Sequence, residues 1–342
     1  MIIEGSAPGS IDLAVESLLR DELIGLPTET VYGLASNALN DAATLKIFAL
    51  KGRPVDHPLI AHIYDSNAVH HFAKEVPEFA LNLMQAFWPG PLTLILKKMD
   101  GIAAACTAGA PTIALRCPAH PVAQALLKRC QEVGIWGLAA PSANRFGRVS
   151  PTHAEHVAQE FGDTLTILNG GPSSVGIEST IVDCTRGAPI VLRPGMLTLK
   201  ELSHAAKCPA VMAQRPGAQA QTGDIDTPKA SGTLESHYAP DALVRLLSTN
   251  EMGARLQNFR SPNLQLAIWS RSPPIGIEAK NLNHALMPDT PAECAKALFA
   301  QLRAFDALGM TEIWVERPPQ SPEWAGIADR LQRAAHSGTE HR

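Results

Sequence analysis

Residues with chemical potential lie in several loops of this chain. In 25-GLPTETVYGLASNA-38, Thr28, Thr30 and Tyr32 occupy alternate positions directly after an apolar run. Alternate residues of an extended segment face one way, so this stretch predicts a hydroxyl-lined wall; Thr and Gly equally suit a capped turn. In 51-KGRPVDHPL-59, Lys51, Gly52 and Pro54 read as an ordinary helix stop. Arg53 and His57 fall beyond that stop and lead to His62. Two cations and two histidines at one exit suit a polyphosphate.

Two further loops follow predicted strands. The stretch 141-PSANRFGRVS-150 carries Ser142, Asn144 and Ser150 as donors and acceptors, residues that such loops also use structurally. The stretch 169-NGGPSSVGIEST-180 is glycine-rich, and reads either as a backbone anion nest or as a surface loop. Arg116 and Arg193 each end a predicted strand just before a proline turn. Such arginines are solvated or salt-bridged, or they clamp a carboxylate or phosphate through a fork. No Walker-type loop, Gly-x-Gly-x-x-Gly or Gly-x-Ser-x-Gly motif occurs. The shared trait is position: loops at the strand ends of one sheet converge on a crevice.

The elements that must position these residues alternate between strand and helix, which predicts an α/β fold. Ser10 is the predicted cap of a first helix, and 23-LIGL-26 reads as a short buried strand. Asp41 opens a helix expected to turn Leu45, Phe48 and Ala49 inward. The strand 58-PLIAHIY-64 sets Ile60, His62 and Tyr64 against Leu59, Ala61 and Ile63. A helix over 77–87 ends at 88-WPGP-91, and strands follow at 92–96, 112–116 and 135–140, with a helix at 121–131. Thr152 with Glu155, and Thr198 with Glu201, read as capping boxes. Between them lie strands at 164–168, 180–184 and 189–193, so mixed pairing is expected. From 207 to 240 the chain turns polar and aperiodic, as a linker does. Strands at 242–247, 264–269 and 312–316, with helices at 249–258, 291–308 and 322–335, then predict a small, largely parallel α/β domain.

Composition narrows the class. A chain of 342 residues that is 45% hydrophobic and 18% charged fits two globular domains. Its net charge of -4 gives no global nucleic-acid footprint. Six cysteines without a Cys-x-x-Cys pair, and twelve histidines without His-x-x-x-His spacing, give no metal signature. The cysteines read as reduced thiols, and with no signal-like start or membrane-length apolar run the expectation is a soluble cytoplasmic protein.

Taken in order, Pro-Thr-Glu-Thr-Val-Tyr-Gly-Leu at 27–34, Lys-Gly-Arg-Pro at 51–54, Pro-Leu-Ile-Ala-His at 58–62, Trp-Pro-Gly-Pro-Leu-Thr at 88–93, Ala-Pro-Ser-Ala-Asn at 140–144, Gly-Ile-Glu-Ser-Thr-Ile at 176–181 and Leu-Arg-Pro-Gly at 192–195 resemble the threonylcarbamoyl-AMP synthase family of YrdC type. The resemblance covers residues 1 to about 205, and His-Tyr-Ala-Pro at 237–240 resembles the long, two-domain form. It implies a YrdC-like twisted mixed sheet over 1–206, a linker over 207–240, and a Rossmann-like α/β domain over 241–342. It further implies synthesis of threonylcarbamoyl-AMP and pyrophosphate from ATP, L-threonine and bicarbonate, a nucleotidyl transfer with Mg2+ carried by the nucleotide. A partner transferase complex would then modify tRNA.

By the same resemblance Lys51 and Arg53 are catalytic. Thr30, His62, Arg116, Ala140 and Ser179 match threonine-binding positions; Arg53, His57, Thr112, Ser142, Asn144, Ser150 and Arg193 match ATP-binding ones. His237 and Tyr238 are candidates for a linker gate. The alternatives are a module that binds double-stranded RNA or tRNA and a carbamoyl-transfer domain, both without this activity.

Overall fold

The computed structural model describes residues 1–213, 228–232, 237–257, 264–273 and 282–336. The chain divides into two units, Met1–Phe146 with Pro151–Thr233, and Gly147–Ser150 with Leu234–Arg342. In chain order the first unit runs β1 (Ile2–Glu4), α1 (Ser10–Leu19), β2 (Ile24–Leu26), β3 (Gly33–Asn37), α2 (Asp41–Lys51), β4 (Ile60–His62), β5 (Ala73–Glu75), α3 (Glu78–Phe87), β6 (Leu92–Lys98), β7 (Thr112–Arg116), α4 (Pro121–Glu132), β8 (Leu138–Ala139), α5 (Ala154–Phe161), β9 (Thr166–Asn169), β10 (Thr180–Asp183), β11 (Ile190–Arg193), α6 (Leu199–Ala206) and β12 (Val211–Met212).

Among the described residues these strands form one twelve-stranded sheet in the order β1-β9-β2-β3-β8-β4-β7-β6-β10-β11-β12, with β5 beside β6. Parallel pairs such as β4 with β7 and β6 with β10 alternate with antiparallel ones such as β6 with β7 and β10 with β11. The expected mixed pairing is therefore observed. Period-two alternation sends neighbouring residues to opposite sides. Leu34 and Ala139 join a core that includes α2, α3, α5 and α6, whereas Ala35 and Leu138 join one that includes α1 and α4.

Several local expectations are corrected. The residue capping α1 is Gly9; Ser10 instead donates to the carbonyls of Gly5 and Ala7. His153, not Thr152, precedes α5, and no side chain caps it; the Thr152 hydroxyl lies 3.1 Å from His153 Nδ1. The inward face of α2 is Ala43, Thr44, Ile47 and Phe48, while Leu45 is 47% exposed. Phe48 turns inward as expected, whereas Ala49, like Leu45, is exposed. By contrast, Thr198 and Glu201 form a true capping box on α6. Of the 207–240 segment, β12 extends the sheet by pairing with β11, residues 228–232 belong to the first unit, and 214–227 and 233–236 lie outside the described residues.

The second unit contains β13 (Leu243–Leu247), α7 (Thr249–Gln257), β14 (Leu266–Ser270), β15 (Leu282–Leu286), α8 (Pro291–Ala307), β16 (Glu312–Glu316) and α9 (Ala325–His336). Its four described strands pair in the order β13-β16-β14-β15, all parallel. Fully buried Ile268, Trp269, Leu298 and Phe299 lie in its interior. Thr290 caps α8 by accepting from the Glu293 amide. Among the described residues no helix is long and apolar enough to cross a membrane, and all six cysteines are free thiols.

The α6 capping box yields a direct test. Thr198→Ala removes the acceptor of the Glu201 amide and should destabilise the first unit by about 1 kcal/mol. Hydrogen exchange should register this as faster exchange at Glu201; unchanged exchange there would mean that the box contributes nothing.

Candidate functional site

Strands β4, β7, β6 and β10 are consecutive neighbours in the sheet. Their residues Ala61, Leu115, Leu94 and Val182 enter the larger core. The alternate residues Ile60, Ile95 and Ile181, with Ala114, form a small apolar patch on the other face, and Ala230 packs on it. Two residues along each strand, the same face carries His62, Thr93, Ser179 and Arg116. Register brings them together: Arg116 is paired with His62 on one side and Thr93 on the other, and Thr93 with Ile181. The hydroxyls of Thr93 and Ser179 are 2.7 Å apart.

Arg116 is the charged centre of this group and only 4% exposed. Its Nη1 donates to Thr30 Oγ1 at 2.7 Å and its Nε to the Gly90 carbonyl at 3.3 Å. Its Nη2 stands 2.7 Å from Glu29 Oε1. That approach is an ion pair without hydrogen-bond geometry, so Nη2 and both Glu29 oxygens, all buried, have no hydrogen-bond partner among the described residues. Burial, and then the charge of Arg116, lower His62 to about 3. Its imidazole is neutral near pH 7, and Nδ1 lies 3.3 Å from the Ile60 carbonyl.

The hydroxyl-rich stretch reaches this group by a bend. Residues 29–31 are not extended, which corrects the alternate-residue wall. Thr28 Oγ1 donates to the Val31 carbonyl and lies 2.9 Å from Thr30 Oγ1, so these two hydroxyls still meet. Tyr32 turns elsewhere, donating to the Gly171 carbonyl and accepting from the Gly170 amide. Burial raises its phenol to about 12. The glycine-rich loop is not an open anion nest either: its amides at Gly170, Gly171, Ser173 and Val175 are committed to Tyr32, Asn169, Thr152 and Glu29.

A cationic group is built from different loops. Lys51, buried in the last turn of α2, donates from Nζ to the carbonyls of Ser142 and Asn144, the first at 2.6 Å. Burial, and then the neighbouring Arg53, push its ammonium well below the usual lysine range. Arg53 follows the left-handed Gly52, donates to the His57 and Pro58 carbonyls, and lies 5.8 Å from the Phe146 ring centre. His57 meets the same ring edge-on at 5.6 Å; burial, and then Arg53, lower its pKa. Arg193 donates to the Ser179 carbonyl and hydroxyl. Ser231 joins the two arginines, accepting from Arg53 at its hydroxyl and from Arg193 at its carbonyl. Gly195 lets Arg193's loop close, because a Cβ there would stand 2.5 Å from the Thr180 amide.

The remaining predicted positions are placed less tightly. Ala140 is buried and donates its amide to the Ile60 carbonyl. Thr112 opens β7, four residues and roughly 13 Å along the strand from Arg116. Ser150 falls in the second unit, where its carbonyl accepts from Arg303. His237 and Tyr238 also belong to that unit: Tyr238 is 1% exposed, packs on Phe299 and lies under the Arg330 guanidinium.

Sequence reasoning missed Glu29, Thr93 and Ser231 as members of these groups. Thr93 shares strand parity with Ile95, which was a usable signal. Glu29 lay inside the quoted stretch, but a glutamate in a turn is ordinarily solvated.

Comparisons with known proteins identify the family and the fold. A Sua5/YciO/YrdC family model described as "Telomere recombination" matches residues 16–195, and one described as "Threonylcarbamoyl-AMP synthase, C-terminal domain" matches 197–336. The threonylcarbamoyl-AMP synthase of Pyrococcus abyssi is 36% identical over 95% of this chain and 94% of its own length. That of Bacillus subtilis is 36% identical over 93% and 91%. The crystal structure of Pyrococcus abyssi Sua5 complexed with L-threonine is similar with a TM-score of 0.86, at 34% identity, over 99% of this chain and 98% of that one. Family models, full-length relatives and fold agree: this chain belongs to the threonylcarbamoyl-AMP synthase family.

Proposed function

We propose that the protein is an L-threonylcarbamoyladenylate synthase, a nucleotidyltransferase that joins L-threonine, bicarbonate and ATP and releases pyrophosphate. The observation that carries this reading is the adjacency of two unlike groups on one sheet face. Arg116, Thr30 and His62 suit a small polar amino acid, and Ser179 connects them to Arg193, beside Arg53, which suits phosphate. A relative solved with L-threonine, and relatives named for the product, support the same substrates.

In this reading Arg116 holds the threonine carboxylate through its outer N–H groups. The ammonium loses a proton; the free amine then adds to CO2 and releases a second proton, or condenses with bicarbonate and releases water, to give a carbamate, and a carbamate oxygen attacks the α-phosphorus as pyrophosphate leaves. Alignment and charge neutralisation carry such a transfer, without a protein nucleophile. Arg53 and Arg193 offset charge on the phosphates. Lys51 fixes the 142–144 loop through two carbonyls, and a polyanion would favour its protonated form. Among the described residues no group of three or more His, Cys, Asp or Glu is placed to hold a metal. Mg2+ would arrive with the nucleotide and neutralise charge on its phosphates. The product would pass to a transferase that modifies tRNA.

Pyrophosphate release measured with ATP, Mg2+, bicarbonate and threonine should require both threonine and bicarbonate. Release indifferent to either, or salt-sensitive RNA affinity without turnover, would reject the synthase reading. Arg53→Ala should lower the rate about a hundredfold with circular dichroism unchanged; full activity would reduce Arg53 to a helix-stop residue.

His62 yields a pH prediction. Its folded-state value of about 3 lies below the unfolded 6.5, so the unfolded chain takes the proton first as pH falls. Its contribution is fully present above 6.5 and is lost toward 3, at up to about 1.4 kcal/mol per pH unit. Wild-type and His62→Gln stability curves should therefore converge over that window on acidification. Parallel curves would mean that His62 is not held neutral.

A further inference from the structure

The one buried carboxylate facing Arg116 has no role in the reading above. Glu29 is 6% exposed, its two oxygens lack hydrogen-bond partners among the described residues, and Oε1 stands 2.7 Å from Arg116 Nη2. Its backbone is fixed, because the Glu29 carbonyl accepts from the Val175 amide at 2.6 Å and the flanking Thr28 and Thr30 hydroxyls are in contact. A buried carboxylate normally collects donors. Glu29 has one cation beside it and, among the described residues, no donor in hydrogen-bond geometry, which suits a ligand that brings further N–H groups.

We propose that Glu29 is the ammonium-recognition residue of the amino-acid site, and that with Arg116 it selects a zwitterion over a simple carboxylic acid. This rests on the synthase reading. The argument is one of charge. Arg116 and Glu29 sum to zero in a buried setting where an unpaired charge is costly. A zwitterionic α-amino acid keeps the sum at zero: its carboxylate lies on the guanidinium and its ammonium, one carbon away, supplies Glu29 with N–H donors. An α-hydroxy acid would bring a second carboxylate to one guanidinium, leave a net negative charge, and offer Glu29 a single weaker donor. Glu29 is therefore a substrate-contacting specificity residue. Nearby His62 is neutral and adds no charge to this balance.

The test compares L-threonine with (2S,3R)-2,3-dihydroxybutyrate, which keeps the carboxylate and β-hydroxyl and replaces the ammonium by a hydroxyl. Titration calorimetry on the full chain should give the wild type a preference for threonine of roughly tenfold to a hundredfold, the range of a hydrogen bond to a charged group. In Glu29→Gln the sum of protein charges becomes +1, so the preference should vanish or invert; Glu29→Asp should retain it in reduced form. Should Glu29→Gln fail to fold, the wild-type ratio and Glu29→Asp still decide: a wild type that binds both acids equally overturns the proposal. Threonine binding with an undiminished ratio in Glu29→Gln overturns the role of Glu29 alone. A wild type that binds neither acid overturns the substrate assignment as well.

Discussion

A guanidinium buried at the end of a central strand constrains much of this site. Arginine stays protonated in any protein setting, so the fold must compensate Arg116 wherever β7 leaves it. Compensation comes from two distant stretches: Glu29 and Thr30 in the bend after β2, and the Gly90 carbonyl before β6. Each contact ties a loop to the strand end, so the charge organises the loops around it as much as they shield it. Burial, and then the same charge, lower the basicity of His62 on the adjacent strand. One buried cation thereby fixes local geometry and reinforces what burial does to a neighbour.

The two halves of the site differ in how they hold charge. Around Arg116 the cation is paired with a carboxylate, and the hydroxyls of Thr30, Thr93 and Ser179 complete a compact polar group. Around Lys51, Arg53 and Arg193 the contacts include the backbone carbonyls of Ser142, Asn144, His57, Pro58 and Ser179 and the hydroxyls of Ser179 and Ser231. Carbonyls orient a cation without cancelling its charge. Ser179 connects the halves, with its hydroxyl against Thr93 and its carbonyl on Arg193.

Much of this was legible in the sequence, for a physical reason. Period-two parity in 58–64 set His62 on the face of Ile60, and Arg116 was legible as a strand end, because each strand faces a dense core on one side and alternation is enforced there. Strands without that contrast stayed hidden. β3 is the small, nearly all-buried run Gly-Leu-Ala-Ser-Asn, and β1, β12 and β15 have exposed residues and little apolar alternation. Glycine-rich residues 169–176 suggested an anion nest, but an amide count depends on partners far away in sequence, such as Tyr32 and Thr152. Thr152 with Glu155 had the spacing of a capping box, and a histidine one residue later took the helix start. Local spacing predicts a cap only when no neighbour competes for the same hydroxyl.

Lys51 shows why burial must be weighed with hydrogen bonding. A catalytic lysine facing phosphate would be expected to point into the crevice, yet this Nζ is held by two backbone carbonyls of the 142–144 loop. Burial opposes its charge, but a neutral amine still has two N–H groups, enough for both carbonyls. The loop therefore remains clamped in either protonation state. The third N–H exists only in the ammonium form, and it is the one not required by the loop. A nearby polyanion stabilises that form by Coulomb attraction, so the proton that desolvation disfavours is the one a triphosphate would restore. Clamping and charge compensation are thus separable tasks of one side chain.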